Sequence, residues 1–509
     1  MADSHLPRRI RWLGLFILLC FVAVFVQLNN LQVVQAHKYA TNPSNPAVIA
    51  ARYDQPRGTI TSSDGTILAN SVKAPKGGIY AYQRQYPTGS LFGQITGVDS
   101  YDYGLYGVEA SYNSYLTYHT KPVKTLSDLL TTTKETDTVI LTLSNSLQTA
   151  ARNALGSNDG SIVVMKPDTG AILAMYSNPS YDPSGLASQD IPTEVSTFKS
   201  VNTNDSLGHA PFVSLAYQDI AFPGSTFKVV TTAAAYEKSP QLVNTPIPGY
   251  SCVPPGTLRG QTTPLCNYGG AYCGGTIAEM LPPSCDTGYA LLGTKIGADN
   301  MTAEANAFGF NQQPPIDLPP SLNEVSQFLQ PSCYQNAEIF LAFSSIGQFC
   351  TKATPLQMAM VAAAVANGGT IMAPHVMYQV RDAQGQLVTR YKPNAWQTAM
   401  TQQTASAISG LMQKVAQNGT AAGIFPASED VAAKTGTAQI ETPSGQFVAT
   451  NDWMIAFAPA SAPKVAVAVE LLHQPVSGTG AANAGPVMAT MIQDALAQLG
   501  GGGSNSNSG

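Results

Sequence analysis

Charge is what this 509-residue chain has least of: Asp, Glu, Lys and Arg make up 11% of it, against roughly a quarter in ordinary soluble domains. Its 26 basic and 31 acidic residues leave a net charge of −5. With no basic excess to meet phosphates, the balance argues against a nucleic-acid partner. Histidine is sparse too. His5, His37, His119, His209, His375 and His473 are scattered, and no HExxH pair occurs. No Cys-x-x-Cys is present either, so the sequence indicates no metal and no cofactor. Internal repeats are absent, and after residue 36 no run is apolar enough to cross a bilayer. Disorder is excluded by the 44% of hydrophobic residues. Polarity falls to Ser, Thr, Asn and Gln, a composition that suits an exported protein.

What is present starts with an address. Arg8, Arg9 and Arg11 precede an unbroken apolar run from Trp12 to Val26, which Leu28, Leu31, Val33 and Val34 prolong. That length spans a membrane, and the arginines would keep its start in the cytoplasm. A cleaved signal peptide ending at Val34-Gln35-Ala36 is the rival reading. Either way everything after residue 36 is exported. Cys20 lies in the apolar run, and the other six cysteines (252, 266, 273, 285, 333 and 350) form an even, extracytoplasmic set that suggests disulfides. Cys285 is expected to bond Cys266 or Cys273, and Cys333 and Cys350, which flank a predicted helix, could bond each other.

The chain divides by composition. Residues 1–36 read as cytoplasmic tip and anchor, and 37–56 as a stalk rich in Asn, Pro and Ala. A small domain over 37–137 opens with two short strands, Arg57–Ile60 and Asp64–Leu68, around a Ser-Asp-Gly turn. Nine of the 22 tyrosines fall between Tyr80 and Tyr118, which predicts aromatic packing rather than a sugar-binding platform. Residues 138–498 form a second domain. Val139–Leu143 reads as a strand and Leu147–Leu155 as a helix. Ser161–Met165 and Ala171–Met175 form a hairpin about Pro167-Asp168-Thr169-Gly170. Val431–Ile440, Asp452–Ala458 and Lys464–Leu472 are strand-like, and Pro355–Ala366 is a helix with Thr354 as its N-cap and Gly368-Gly369 as its stop. Strands at both ends with helices between them predict one α/β domain whose sheet draws on both. Residues 499–509 read as a disordered Gly/Ser/Asn tail.

Three motifs carry chemistry. Pro223-Gly224-Ser225-Thr226-Phe227-Lys228 leads into an apolar helix and places Ser225 at its N-terminus, with Lys228 one turn along the same face. A serine hydroxyl needs a base, and an uncharged lysine one turn away supplies one. Ser284-Cys285-Asp286 follows, then Lys434-Thr435-Gly436-Thr437 on a predicted strand. The strand motif offers a cation and hydroxyls to a carboxylate, and a glycine that would let a substrate backbone approach. S-x-x-K alone is common. All three in this order, each in the right local structure, are specific.

On these motifs the chain resembles the class B penicillin-binding proteins, the monofunctional peptidoglycan DD-transpeptidases, among their short forms. The resemblance extends through the Arg57-Gly58-Thr59-Ile60 segment, Tyr103–Glu109, Lys166–Met175, Thr354–Met358 and Trp453–Pro459, and so covers nearly the whole chain. It implies the serine penicillin-recognising transpeptidase fold, an α/β (α+β) arrangement with an antiparallel sheet packed between helices, behind a small pedestal domain and one transmembrane helix. It also implies roles. Ser225 would be acylated by a D-alanyl-D-alanine stem peptide, Lys228 would take its proton, and Ser284 would relay a proton to the leaving amine. Lys434, Thr435 and Thr437 would hold the terminal carboxylate, with Gly436 between them, and the N–H groups of Ser225 and Thr437 would form the oxyanion hole. Implied partners are peptidoglycan stem peptides, lipid II-derived glycan, β-lactams and a SEDS-type membrane glycosyltransferase. No glycosyltransferase segment precedes Arg57, which disfavours the bifunctional class A.

One position departs from the family pattern: Asp286 stands where asparagine is usual. Ser321-Leu322-Asn323 is the only competing S-x-N between the other two motifs, and it lies too far from Ser225. A carboxylate here would favour the charged form of Lys228, unless it pairs mainly with Lys434 or is itself protonated. Lys434 should lower the pKa of Lys228 by repulsion, and burial should lower it further. Two other readings compete: a hydrolase of the same fold (carboxypeptidase or β-lactamase), and a β-lactam sensor without turnover. Glu324-Val325-Ser326-Gln327 does not match the E-x-x-L-N of a class A lactamase, and no effector domain precedes Trp12.

Overall fold

The computed structural model describes residues 6–35, 50, 52–74, 78–120, 134–320, 323–335, 337–442 and 446–501. Most of the expected stalk, the Ser321-Leu322 pair and the chain beyond Gly501 lie outside the described residues. The chain resolves into two compact units, one of residues 1–56 with 72–83, the other of 57–71 with 84–509.

In the first unit, an apolar helix Leu6–Asn29 continues as a π-helical turn to Val34. Its segment Ile10–Val33 has a mean hydropathy of 2.2 and is long and apolar enough to cross a membrane. It fits a single-pass anchor.

The second unit is built on a five-stranded antiparallel sheet. Its strands are β1 (Gly160–Met165), β2 (Ile172–Asn178), β3 (Ala432–Glu441), β4 (Phe447–Ala458) and β5 (Val465–Gln474), in the order β2-β1-β5-β4-β3. Both chain ends contribute, as the sequence predicts. Helices α1 (Asn145–Leu155), α2 (Lys228–Lys238), α3 (Asp286–Ile296), α4 (Pro355–Ala366), α5 (Gln402–Asn418) and α6 (Ala484–Gly501) surround it. α1 and α6 pack on one another and on the sheet, while α4, buried along nearly its whole length, packs against β1, β4 and β5. With both faces covered, the strands read as continuous apolar runs instead of alternating ones.

Local chemistry accounts for the shifts from the predicted bounds. α1 begins two residues before Leu147, because the Ser144 hydroxyl caps it by accepting from the Leu147 N–H. α6 runs through Gly500 and Gly501, past the expected start of the tail. The first pedestal strands fall at Ile60–Thr61 and Ile67–Lys73, not Arg57–Ile60 and Asp64–Leu68. Arg57 and Gly58 are engaged elsewhere: the Gly58 N–H donates to Leu116 O at 2.7 Å, and the Arg57 guanidinium is buried against Glu109. Ile60–Thr61 and Ile67–Lys73 pair antiparallel in a second, six-stranded sheet, which Thr138–Leu141 joins parallel to Ile60–Thr61 and antiparallel to Met377–Arg381. Tyr86 and Tyr112 are buried in the core and Tyr103 stacks on Phe198, as aromatic packing predicts.

Between α2 and α3 the chain makes a stapled excursion. Disulfides join Cys252 to Cys266 and Cys273 to Cys285, and a third joins Cys333 to Cys350 around the helix Glu338–Ser345. Of the two partners expected for Cys285, the structure selects Cys273. Cys20 is free, on the apolar N-terminal helix.

Candidate active site

Gly224–Phe227 forms a 3-10 turn that runs directly into α2, so Ser225 precedes the helix by three residues and Lys228 opens it. Lys228 is fully buried. Its Nζ donates to Ser284 O at 2.7 Å, Asp286 Oδ1 at 2.7 Å and Ser284 Oγ at 3.3 Å. The Ser225 hydroxyl donates to the same Asp286 oxygen at 3.3 Å. Ser284 adopts φ +60°, a left-handed conformation that costs a β-carbon residue energy and recurs at working sites. Directly after Ser284, the Cys273–Cys285 disulfide and the start of α3 fix where the chain leaves this turn.

β3 brings the third motif. Lys434 is fully buried, and its Nζ donates to Ser284 Oγ and to Thr435 O, each at 2.8 Å. Ser284 Oγ therefore lies between two lysines. Thr437 Oγ1 accepts from the Gly480 N–H at 3.0 Å. Gly436 has a neighbour other than the expected substrate. A Cβ there would lie 2.7 Å from Pro223 O and 2.9 Å from Thr226, so the missing side chain lets β3 cross the Ser225 turn. All eight predicted residues thus converge on one site.

The electrostatics follow from burial and from the partner each lysine meets. Burial pushes the Lys228 ammonium down, and Asp286 pulls it back. Burial pushes Lys434 down further, and there the Lys228 charge adds to the effect while Asp286 opposes it. Burial leads at both lysines, and each opposes the charge of the other. Asp286 does not escape Lys228 by pairing with Lys434, since its carboxylate is in direct contact with Lys228. The cause is its position at the first turn of α3, facing the start of α2.

Sequence reasoning missed Tyr289. It lies three residues beyond Asp286 on the same helix face, its ring 5.6 Å from Lys228 Nζ, with its hydroxyl 2.8 Å from Thr232 Oγ1. Helical spacing from Asp286 is the signal that could have found it. The scattered histidines also hid a grouping: donor atoms of Asp159, Asp205 and His209 lie within 4.8 Å of one another. Such an arrangement could hold a cation, but none of its residues touches the Ser225 cluster among the contacts described.

Residues 160–493 match the penicillin binding protein transpeptidase domain, and residues 57–139 match the penicillin binding protein A dimerisation domain. The chain belongs to the penicillin-binding protein transpeptidases. It is 32% identical over 506 residues to the peptidoglycan D,D-transpeptidase PbpA of Mycolicibacterium smegmatis, covering 96% of this chain and 98% of that one. Among solved structures it is similar to penicillin-binding protein A of M. tuberculosis in its ceftriaxone acyl-enzyme complex. There the TM-score is 0.77 and the identity 31%, over 88% of this chain and 100% of that one. The penicillin G acyl-enzyme of the same protein matches with a TM-score of 0.76 and 31% identity, over 87% of this chain and 100% of the other.

Proposed function

We propose that this penicillin-binding protein is a D-alanyl-D-alanine transpeptidase that cross-links peptidoglycan stem peptides and is acylated by β-lactams. The observation that carries this reading is the shared Ser284 hydroxyl, which joins the base beside Ser225 to the lysine of the carboxylate-binding strand. Ser225 Oγ would bond to the carbonyl carbon of the penultimate D-alanine as its proton passes to Lys228 Nζ. The N–H groups of Ser225 and Thr437 would stabilise the oxyanion. As the C–N bond breaks, Ser284 would pass its proton to the leaving nitrogen and take one from Lys228, 3.3 Å away, so that Lys228 is neutral again as D-alanine departs. The amine of a second stem peptide would then attack the ester carbon, return Ser225 to its hydroxyl form and complete the cross-link.

The N-terminal helix would anchor the enzyme in the cytoplasmic membrane with the active site outside. Residues 1–36 would form the tip and anchor, 37–137 the pedestal, 138–498 the transpeptidase domain and 499–509 a tail. A SEDS-type glycosyltransferase would supply the glycan. Intact-mass measurement after benzylpenicillin should find a durable adduct on the wild type and none on Ser225→Ala. A synthetic donor with a second amine should then yield cross-linked product. Donor hydrolysis alone would make the enzyme a carboxypeptidase, and rapid loss of the adduct would make it a β-lactamase.

A further inference from the structure

Gly419 and Thr420, just after α5, touch the turn that leads into the second motif and, at Thr435, the third motif itself. The Thr420 N–H donates to Pro282 O at 3.0 Å, two residues before Ser284. A Cβ on Gly419 would lie 2.5 Å from that same carbonyl, so the chain can come this close only with glycine there. On its other side, Thr420 Oγ1 lies 2.6 Å from Thr435 Oγ1. Thr435 is buried and Thr420 half-buried.

Each hydroxyl has one proton to give and lone pairs to receive. In a pair at this distance, one hydroxyl donates to the other. If Thr435 spent its proton on Thr420, it would present only lone pairs to an incoming anion. With Thr420 as donor, the Thr435 proton is free for the anion, and the two hydrogen bonds polarise in the same sense.

We propose that Thr420 is a positioning residue for substrate recognition, whose hydroxyl orients the Thr435 hydrogen toward the terminal carboxylate of the donor peptide or β-lactam. The proposal rests on the reading above that Thr435 binds this carboxylate. Thr420 is outside all three motifs, and its contact with Thr435 arises only where the end of α5 meets β3.

The test uses the full-length protein in detergent with two probes, benzylpenicillin and its neutral carboxamide. In Thr420→Val, acylation by the acid should fall roughly tenfold through weaker binding before acylation, while the carboxamide rate holds within about twofold. Thr420→Ser should restore the acid-to-amide ratio, and Thr420→Ala should reproduce the loss if the valine variant folds poorly. An equal fall for both probes, or a wild-type ratio in both the valine and alanine variants, overturns the proposal. Thr435→Val separates it from its premise. If that variant keeps the wild-type ratio, the carboxylate reading itself fails. If it lowers the ratio while Thr420→Val does not, only the role of Thr420 fails.

Discussion

Glu109 and Lys434 are both fully buried and both ionisable, yet their surroundings are built on opposite plans. Glu109 accepts from Arg57 Nε and Arg84 Nε, each at 2.6 Å, and from Tyr86 OH at 3.2 Å. Arg57 also reaches Asn113 Oδ1 and Glu109 O, each at 2.8 Å, and lies 3.4 Å from Asp99. Two guanidiniums face two carboxylates, and their fixed forks spread the charge over many acceptors. Burial alone would push the Glu109 carboxyl up, but Arg84 and Arg57 hold it below its ordinary value. Around Ser225, two compact ammoniums share one carboxylate and one hydroxyl, and both lysines are pushed down. A satisfied group holds the fold together. A group one anion short is poised to lose a proton and bind a substrate.

The largest effect should come from breaking the satisfied group. Glu109→Ala takes away the carboxylate that both buried guanidiniums share, which should cost about 3–5 kcal/mol. Denaturant unfolding should show this as a lower midpoint, while the fraction that remains folded acylates with benzylpenicillin at the wild-type rate. A loss below about 1 kcal/mol, the range of an exposed pair, would mean the cluster is no more than tolerated.

Glu304 is an intermediate case. It is fully buried and faces one partner, Lys238 Nζ, at 3.4 Å, so burial prevails and pushes its carboxyl up to about 7. Between the ordinary value of 4.5 and about 7 the folded state binds more protons than the unfolded one, so stability should fall as pH rises through that window and level off above it. The total is roughly 3 kcal/mol. Glu304→Gln should remove the slope, as paired unfolding curves across the window would show.

Lys434→Met tests the opposite plan. It relieves a desolvated charge and its repulsion on Lys228, so the variant should be about 1–3 kcal/mol more stable at neutral pH. Because the folded lysine loses its proton below the unfolded value of 10.5, wild-type stability should climb toward that pH and close the gap. Acylation by benzylpenicillin should meanwhile drop roughly 10²- to 10³-fold. A destabilised variant would show that Lys434 is held as firmly as Glu109.

This contrast explains what the sequence reveals and what it hides. Ser225, Lys228, Ser284 and Lys434 are legible because their chemistry requires those residue types at short, fixed spacings. The central strands are legible because burial on both faces leaves unbroken apolar runs, and α4 because Thr354 and Pro355 mark its start. The Glu109 cluster is hidden, since its members are 25 and 52 residues apart and nothing local links them. Thr420 meets Thr435 only through folding. Gly436 is legible as a close approach, but not as an approach to Pro223. Asp286 is visible as a substitution, while its partner depends on where α3 starts.

The smallest expected effect belongs to that substitution. Asp286 contributes a charge and an acceptor, and Asn keeps only the acceptor. Its amide oxygen can still receive Lys228 Nζ and the Ser225 hydroxyl from the position of Oδ1. What disappears is the attraction that pulls Lys228 back toward its ordinary value against burial. Asp286→Asn should therefore keep its acylation activity and move the alkaline-going rise of the benzylpenicillin rate to lower pH, by on the order of one pH unit. On the acid side of the rise this is roughly a tenfold gain, because the neutral fraction of the base grows in proportion as its proton is held less tightly. Stopped-flow acylation from about pH 5 to 9 spans the interval between ordinary carboxylate and lysine titrations. An unmoved profile would mean that burial alone sets the charge of Lys228. Complete loss of acylation would mean that Asp286, 3.3 Å from the nucleophile, takes the serine proton itself.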